Sequence, residues 1–269
     1  MARLSVLLFS LLLWALPASA QHSQDNDALF KALDMQSLFQ VMQQEGIAFG
    51  DTLADDMLPG GSNPAWRSIM RQLHDPATME EIVRQSFDDS FGDADAAPLI
   101  AFFNSASGQK IVQLEIAARR TFLDDQAEEA ARDRFREVQE PFDAHLAAIA
   151  AYIRANDLVD YNVVGAMNAN YMFFRGLAEG GAMDLSEDDM LRDVWAQESS
   201  TRMDTQEWLF AFLMAAYAPL EAEEIEAYVA LSLTPEGQAF NRALFAGFDQ
   251  MYGALSLSIG LALARQMQG

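Results

Sequence analysis

The sequence contains no cysteine. A chain without thiols forms no disulfides and has neither thiolate catalysis nor cysteine metal ligands, so packing alone must stabilise the fold. With 269 residues and a hydrophobic fraction of 51%, the chain is long and apolar enough to bury a sizeable core. Intrinsic disorder is therefore not expected.

Basic residues are scarce. Lys and Arg total 17 against 40 Asp and Glu, which gives a formal net charge of −23 at pH 7. Such a surface repels phosphate backbones and anionic lipid headgroups, because both carry negative charge. Nucleic acid is therefore excluded as a partner, since binding it normally needs a basic face. The simplest role of the acidic surface is to keep the protein in solution.

Long hydrophobic runs are missing apart from one at the N-terminus. The chain begins MARLSVLLFSLLLWALPASA, in which Arg3 precedes an apolar run from Leu4 to Leu16 and the small residues Ala18 and Ala20 follow. This order is typical of a secretory signal peptide, and the run is shorter than the ~20 residues that span a bilayer. We expect residues 1–20 to be a signal peptide cleaved after Ala20, with no transmembrane segment in the mature chain. Export without disulfides favours a periplasmic location.

Two-residue alternation is scarce, and the Asn-Gly and Asp-Gly pairs of tight hairpins are absent. Apolar residues instead recur at helical spacing, as in the stripe formed by Met79, Val83, Phe87 and Phe91. We predict an all-α fold of about ten helices. The segment 124–156 is predicted to be one long exposed helix with a kink or break at Pro141.

One short phrase occurs twice. Ser105 and Gly108 in IAFFNSASGQK have counterparts in Thr234 and Gly237 of VALSLTPEGQAF. In both copies a Ser or Thr can cap a new helix, and Pro235 suits the first helical position because it has no N–H to leave unpaired. A glycine in the first turn costs up to about 1 kcal/mol relative to alanine, so its presence in both copies indicates a close approach of neighbouring backbone.

The repeated phrase predicts an internal duplication. The offset between the two glycines also pairs Phe102 with Leu231 and Trp66 with Trp195. We therefore predict two related helical units, residues 21–150 with the phrase at 100–110 and residues 151–269 with a diverged phrase at 229–240. The alternative is chance similarity between amphipathic helices.

IAFFNSASGQK resembles the signature of a family of exported bacterial proteins, the domain of unknown function 2059. The matching residues include Phe102, Phe103, Ser105, Gly108 and Lys110. The second copy keeps Thr234, Pro235 and Gly237 but lacks the aromatic pair. The resemblance implies a helical periplasmic or secreted protein and supplies no catalytic residue. We interpret the signature residues as a structural helix junction.

No catalytic, cofactor-binding or metal-ligating constellation is assigned. His22, His74 and His145 have no partner at metal-binding spacing and are interpreted as surface or capping residues. Glu198-Ser199 has the residue types of the general acid in helical lytic transglycosylases, which need a glutamate in an apolar cleft. The motif that follows in those enzymes is missing. We expect neither a cofactor nor a metal.

The C-terminal residues 250–264 carry no charge, and most of their side chains are small or apolar. Gly253, Ser256, Gly260 and Ala264 share one side at helical spacing, which makes a smooth strip on which another helix can lie. This strip is interpreted either as the surface of a central core helix or as a docking face for a partner or an apolar ligand.

Three functional hypotheses follow. The leading one is a non-enzymatic periplasmic protein that binds an unknown protein or an apolar ligand in the cell envelope, because apolar helical surface is abundant and catalytic motifs are missing. The first alternative is a periplasmic hydrolase or muramidase-like enzyme that uses a carboxylate acid, with Glu198 as the first residue to test. The second is an envelope assembly or structural factor.

Overall fold

A computed structural model describes residues 18–138 and 142–268. Every regular element among these residues is an α-helix, so the all-α prediction is confirmed. The helices are α1 (Ala18–Ala32), α2 (Met35–Met57), α3 (Pro64–Leu73), α4 (Pro76–Phe91), α5 (Ala97–Phe103), α6 (Ala106–Thr121), α7 (Asp125–Arg136), α8 (Ala144–Ala155), α9 (Leu158–Glu179), α10 (Glu187–Ala196), α11 (Glu198–Tyr217), α12 (Ala222–Ser232) and α13 (Pro235–Gln268). Residues 1–17 of the predicted signal peptide lie outside the described residues. Across the two described ranges, no helix has the length and hydrophobicity to cross a membrane.

Side-chain caps and prolines fix where several helices begin. Asn63 accepts hydrogen bonds from two backbone N–H groups of α3, and Asp75 accepts one from Thr78 in α4; proline is the first residue of both helices. Ser186 accepts from the backbone N–H of Asp189 at 3.2 Å and so caps α10. Each cap pairs an N–H group that helix geometry leaves free and is worth about 0.5–2 kcal/mol.

Both halves of the chain contribute to one central core. α13, the longest helix, packs along α9 and α4, while α12 packs on α8 and α11 packs on α7. Buried side chains at the centre come from early and late helices alike, among them Phe39, Phe87, Leu99, Ile149 and Tyr217. The two halves therefore share their core.

The C-terminal half of α13 is buried against α9 and α3. Gly176 of α9 and Gly260 of α13 lie where the two helices cross. A Cβ added to Gly260 would lie 3.0 Å from the Gly176 Cα and would overlap the Phe173 carbonyl oxygen. The strip of small residues on α13 is thus covered by the chain's own α9, and its interpretation as a core surface is the one that the structure shows.

The segment 124–156, predicted to be a long helix with a kink or break at Pro141, contains two helices, α7 ending at Arg136 and α8 beginning at Ala144. Pro141 lies outside the described residues. The predicted exposure is wrong for α8, which buries Leu146, Ile149 and Ile153 in the central core. The predicted boundary between residues 150 and 151 falls inside α8, so a division of the chain that keeps whole helices lies before Ala144 or after Ala155.

The helix crossing makes a prediction about stability. Gly260→Ala is expected to destabilise the protein by about 1–3 kcal/mol, because the new Cβ overlaps the backbone of α9. Gly253→Ala, in the same helix, is the matched control, since the nearest atom to its Cβ is the Met172 Cγ at 3.8 Å. The control should be neutral or gain up to about 1 kcal/mol, because alanine favours helices. Urea unfolding measures the stability of both variants. Equal midpoints would show that Gly260 is not close-packed against α9.

Candidate functional site

The two copies of the repeated phrase lie at two sharp helix junctions. In the first, Ser105 is the N-cap of α6, and its hydroxyl oxygen accepts from the backbone N–H of Gly108 at 3.1 Å. Gly108 is buried against the end of α5. A Cβ there would overlap the Phe102 carbonyl oxygen and lie 2.7 Å from the Phe103 Cα. Any side chain at this position would push the two helices apart.

The second junction has the same geometry. Thr234 precedes α13, which begins at Pro235, and its hydroxyl oxygen accepts from the backbone N–H of Gly237 at 3.0 Å. A Cβ on Gly237 would overlap the Leu231 carbonyl oxygen and lie 2.9 Å from the Ser232 Cα. The restraint that sets the angle between α5 and α6 therefore also sets the angle between α12 and α13.

A glutamine follows the first glycine and ties its junction to a second corner. The Gln109 side-chain amide donates to the carbonyl oxygens of Phe103 at 2.6 Å and Ala32 at 2.8 Å. Ala32 ends α1, and Asp34 turns the chain into α2 with a left-handed φ of 47°. One amide group thus holds the end of α5 and the end of α1 together.

The glutamine after the second glycine makes the equivalent contacts. Gln238 donates to the carbonyl oxygens of Ser232 at 2.7 Å and Ala155 at 2.9 Å. Ala155 ends α8, and Asp157 turns the chain into α9 with a φ of 48°. The sequence analysis assigned no role to these glutamines. The signal that could have found them is that both phrases place Gln directly after Gly.

The remaining signature residues connect the two halves. Phe103 is buried with its ring centroid 5.8 Å from that of Tyr228 on α12, and Phe102 stacks on the same tyrosine at 5.4 Å. Lys110 of α6 donates to both carboxylate oxygens of Glu224 on α12, at 2.9 and 3.1 Å. Because both charged groups are partly exposed, this ion pair orients the helices more than it stabilises them.

The two junctions border one cavity of about 230 Å³, which Phe103 and Gly237 both line. Its wall is mostly apolar. Several lining residues form pairs at the offset that separates the two repeated glycines: Leu99 with Tyr228, Phe103 with Ser232, Glu115 with Leu244, Ile116 with Phe245, and Arg119 with Phe248. The cavity therefore lies where the two halves of the chain meet.

Glu115 of α6 is the one carboxylate among the described residues that line the cavity. The Tyr217 hydroxyl donates to its Oε1 at 2.5 Å. Burial raises the pKa of Glu115 from its usual 4.5 to about 7, although the hydrogen bond from Tyr217 acts in the opposite direction. Near neutral pH this carboxyl group therefore holds its proton in a substantial fraction of molecules.

Three tyrosines lie near this carboxyl group, of which Tyr217 and Tyr228 are buried and Tyr152 is partly buried. Tyr152 and Tyr228 line the cavity, and Tyr217 lies behind them, with the rings of Tyr152 and Tyr228 4.6 Å apart. Burial and the nearby Glu115 raise the pKa of all three phenols, so they stay protonated. The cavity is thus mostly apolar, with Glu115 and the tyrosines on one part of its wall and Arg119, Asn156, Ser232 and Asn241 as its other polar lining residues.

A groove of about 660 Å³ lies outside the cavity, between α9 and α13. Arg119, Phe245 and Phe248 belong to the walls of both spaces, so these side chains separate the cavity from the groove. Arg119 donates to both carboxylate oxygens of Glu45, at 2.6 and 2.8 Å, and to the Tyr252 hydroxyl at 3.3 Å.

Glu198, the candidate acid of the hydrolase hypothesis, lies elsewhere. It is in the first turn of α11, where Arg202 donates to its Oε1 at 2.8 Å. Glu198 lines neither the cavity nor the groove. Its surroundings are a partly exposed ion pair, which does not provide the apolar cleft that a glutamic acid catalyst needs.

The histidines have structural contacts. His74 is buried against Gly46, its Nδ1 lies 2.9 Å from the Met70 carbonyl oxygen, and burial lowers the pKa of the imidazole. His74 is the C-cap residue of α3, so its interpretation as a capping residue is confirmed, although its side chain is buried and does not lie on the surface. The His145 Nε2 lies 3.0 Å from the Tyr217 carbonyl oxygen. The His22 side chain lies outside the described residues. Among the side chains that are described, no three His, Asp or Glu are grouped to hold a metal ion.

Comparison with known proteins gives one match. Residues 77–137 match the family model of an uncharacterised protein conserved in bacteria, the domain of unknown function 2059. The matched segment runs from α4 to the end of α7, and it includes the first junction and Glu115. The resemblance of the signature to this family is therefore confirmed. No curated protein and no solved structure matched the chain.

The two junctions make a paired prediction. Gly108→Val and Gly237→Val are each expected to destabilise the protein by roughly 1 to 3 kcal/mol, because each new side chain overlaps the preceding helix. The two losses should be similar, since the surroundings of the two glycines are the same. Gly60→Val is the control, because a Cβ at this loop glycine meets no atom within 4 Å. Unchanged urea midpoints in both junction variants would show that the glycines are not close-packed.

Glu115 makes a prediction about pH. Its pKa is higher in the folded protein than in the unfolded chain, so the folded state binds more protons between about pH 4.5 and 7. Its contribution to stability is therefore full below pH 4.5 and is lost as the pH rises to about 7. Relative to Glu115→Gln, the wild type should lose about 3 kcal/mol of stability between pH 4 and pH 8.

Urea unfolding of both proteins at the two pH values measures this difference. The comparison with Glu115→Gln removes the effects of other titrating groups. His74 is one of these, because its lowered pKa makes stability rise with pH. Parallel pH profiles for the wild type and the variant would contradict a raised pKa at Glu115.

Proposed function

We propose that this protein is a non-enzymatic binding protein that holds a small apolar molecule in the cavity between its two halves. The observation that carries the proposal is the cavity itself, with about 230 Å³ of space and a mostly apolar wall. An apolar protein cavity of about 150 Å³ is large enough to bind benzene. The cavity of this protein therefore has room for a larger ligand, of about the size of two fused rings.

The proposal includes an origin of the two halves in one duplicated helical unit. Support comes from the paired contacts of Gln109 and Gln238 and from the left-handed turns at Asp34 and Asp157. Pairs of equivalent residues on one cavity wall are what two related units produce when they meet around a common axis. A cavity at such an axis is built by both units and by neither alone.

The groove between α9 and α13 supplies a route for the ligand. Phe245 and Phe248 stand between the groove and the cavity, and phenyl rings can turn without breaking a hydrogen bond. Arg119 is held in place by Glu45 and Tyr252, so it forms a fixed side of this passage. A ligand would pass the two aromatic rings and leave the arginine in position.

The proposed location of this binding is the periplasm. Its support is the N-terminal sequence, in which an apolar run between Arg3 and Ala20 has the order of a secretory signal peptide. Such a location brings the protein into contact with small apolar molecules of the cell envelope. Binding of a partner protein and a role in envelope assembly remain alternatives that share the same fold.

The hydrolase alternative receives less support from the geometry. Glycoside hydrolysis normally uses two carboxyl groups that flank the scissile bond, about 5 to 9.5 Å apart. Of the described residues that line the cavity, Glu115 is the one with a carboxyl group. A single carboxyl group in an apolar space suits recognition of a ligand better than hydrolysis of a sugar.

Filling the cavity tests the proposal. Leu244→Trp, on α13, adds an indole ring to the cavity wall and is expected to weaken binding of 2-methylnaphthalene at least tenfold, because the ring occupies the ligand's space. Isothermal titration calorimetry, with the protein titrated into the sparingly soluble probe, measures the affinity. Thermal unfolding of the variant shows that it is folded.

Leu233→Trp is the matched control. Leu233 is 62% exposed and lies outside the cavity, so the same substitution there should leave binding of 2-methylnaphthalene unchanged. The proposal is contradicted if the wild type does not bind the probe. It is also contradicted if the Leu244→Trp and Leu233→Trp variants bind the probe with equal affinity.

A further inference from the structure

The carboxyl group of Glu115 has one oxygen that faces the cavity. In the part of the chain that the structure describes, Tyr217 is its hydrogen-bond partner and occupies Oε1. No buried side-chain nitrogen or oxygen in the same residues lacks a partner. The second oxygen is therefore accessible, and the space that Glu115 borders is the cavity.

Most of the cavity wall around this carboxyl group is apolar, and its other polar lining residues include Arg119, Asn156 and Asn241. Leu244 takes the position equivalent to Glu115 in the other half, and Ile116 and Phe245 form the next equivalent pair along the wall. The cavity thus has a carboxyl group contributed by one half only. A polar group without a partner in apolar surroundings is unfavourable, and a ligand that hydrogen-bonds to it recovers that free energy.

From this arrangement we infer that the cavity selects apolar molecules that carry one hydroxyl group, and that the hydroxyl hydrogen-bonds to the accessible oxygen of Glu115. The inference rests on the proposed function and names the ligand class of the same site. The apolar part of the ligand packs on the leucine, isoleucine and phenylalanine side chains. The hydroxyl group fixes its orientation.

A hydroxyl group fits this position better than other polar groups do. It donates to an ionised carboxylate and accepts from a protonated one, so it can pair with Glu115 in both states. A carbonyl group pairs with the protonated form only. A ligand carboxylate would meet the charge of ionised Glu115, and two like charges in an apolar space repel strongly. A ligand ammonium would itself have to leave water for an apolar cavity.

Two probes of nearly the same shape test the inference. At pH 6, 2-naphthol is expected to bind the wild-type protein about tenfold more tightly than 2-methylnaphthalene, because its hydroxyl gains a hydrogen bond that the methyl group cannot make. In Glu115→Met, which removes both carboxyl oxygens and keeps an apolar side chain of similar length, the ratio of the two dissociation constants should fall to about one. Calorimetry measures all four affinities.

A second measurement needs no variant. The NMR frequency of the Glu115 carboxyl carbon should change on addition of 2-naphthol and stay in place on addition of 2-methylnaphthalene, since only the first probe reaches the carboxyl group. This result keeps the inference testable even if Glu115→Met does not fold.

The outcomes separate the inference from the proposed function. If neither probe binds the wild type, the proposed function is wrong. If both probes bind with equal affinity, or if Glu115→Met keeps the preference for 2-naphthol, the binding function stands and the inference about Glu115 is wrong. A preference that is present in the wild type and lost in the variant supports both.

Discussion

The rest of the structure depends on the close approach of backbone at Gly108 and Gly237. Each glycine lets the start of one helix lie against the last carbonyl groups of the helix before it, where any Cβ would overlap an oxygen. This contact fixes the angle at which α6 leaves α5 and α13 leaves α12. Gln109 and Gln238 then attach each junction to the corner at the end of α1 or α8. With four helix ends held in this way, the residues that follow each glycine are directed towards the centre of the molecule.

The cavity follows from that direction. α6 and α13 begin at the two junctions, and residues of both helices line the cavity. The two helices differ in one respect that matters for chemistry, because Glu115 has Leu244 as its equivalent. A second carboxyl group at the position of Leu244 would share this mostly apolar cavity with Glu115, and the repulsion between the two charges would destabilise the fold. Keeping one carboxyl group gives the cavity a polar end and avoids that repulsion.

The sequence predicted those features that depend on local interactions. Helical periodicity and capping residues identified the all-α fold, the start of α6 at Ser105 and the start of α13 at Pro235. Features that depend on contacts between distant segments were harder to predict from the sequence. Trp66 is fully buried while Trp195 is 66% exposed, so the offset that pairs the two junctions does not make these two residues equivalent. Loops of different length between the helices change the offset, and only the three-dimensional contacts show where it changes.

Glu115 shows why the site itself was missed. It lies on the same face of α6 as the buried residues Ile111 and Val112, and this spacing was visible in the sequence. A cavity, however, is a property of how several helices fail to fill a volume, and no local pattern encodes it.

The cavity also has an energetic consequence. A ligand that occupies the cavity restores the missing contacts and stabilises the folded state in proportion to its affinity and concentration. The close-packed junctions therefore do more than set the angles between helices, because they border the cavity in which the proposed ligand would bind.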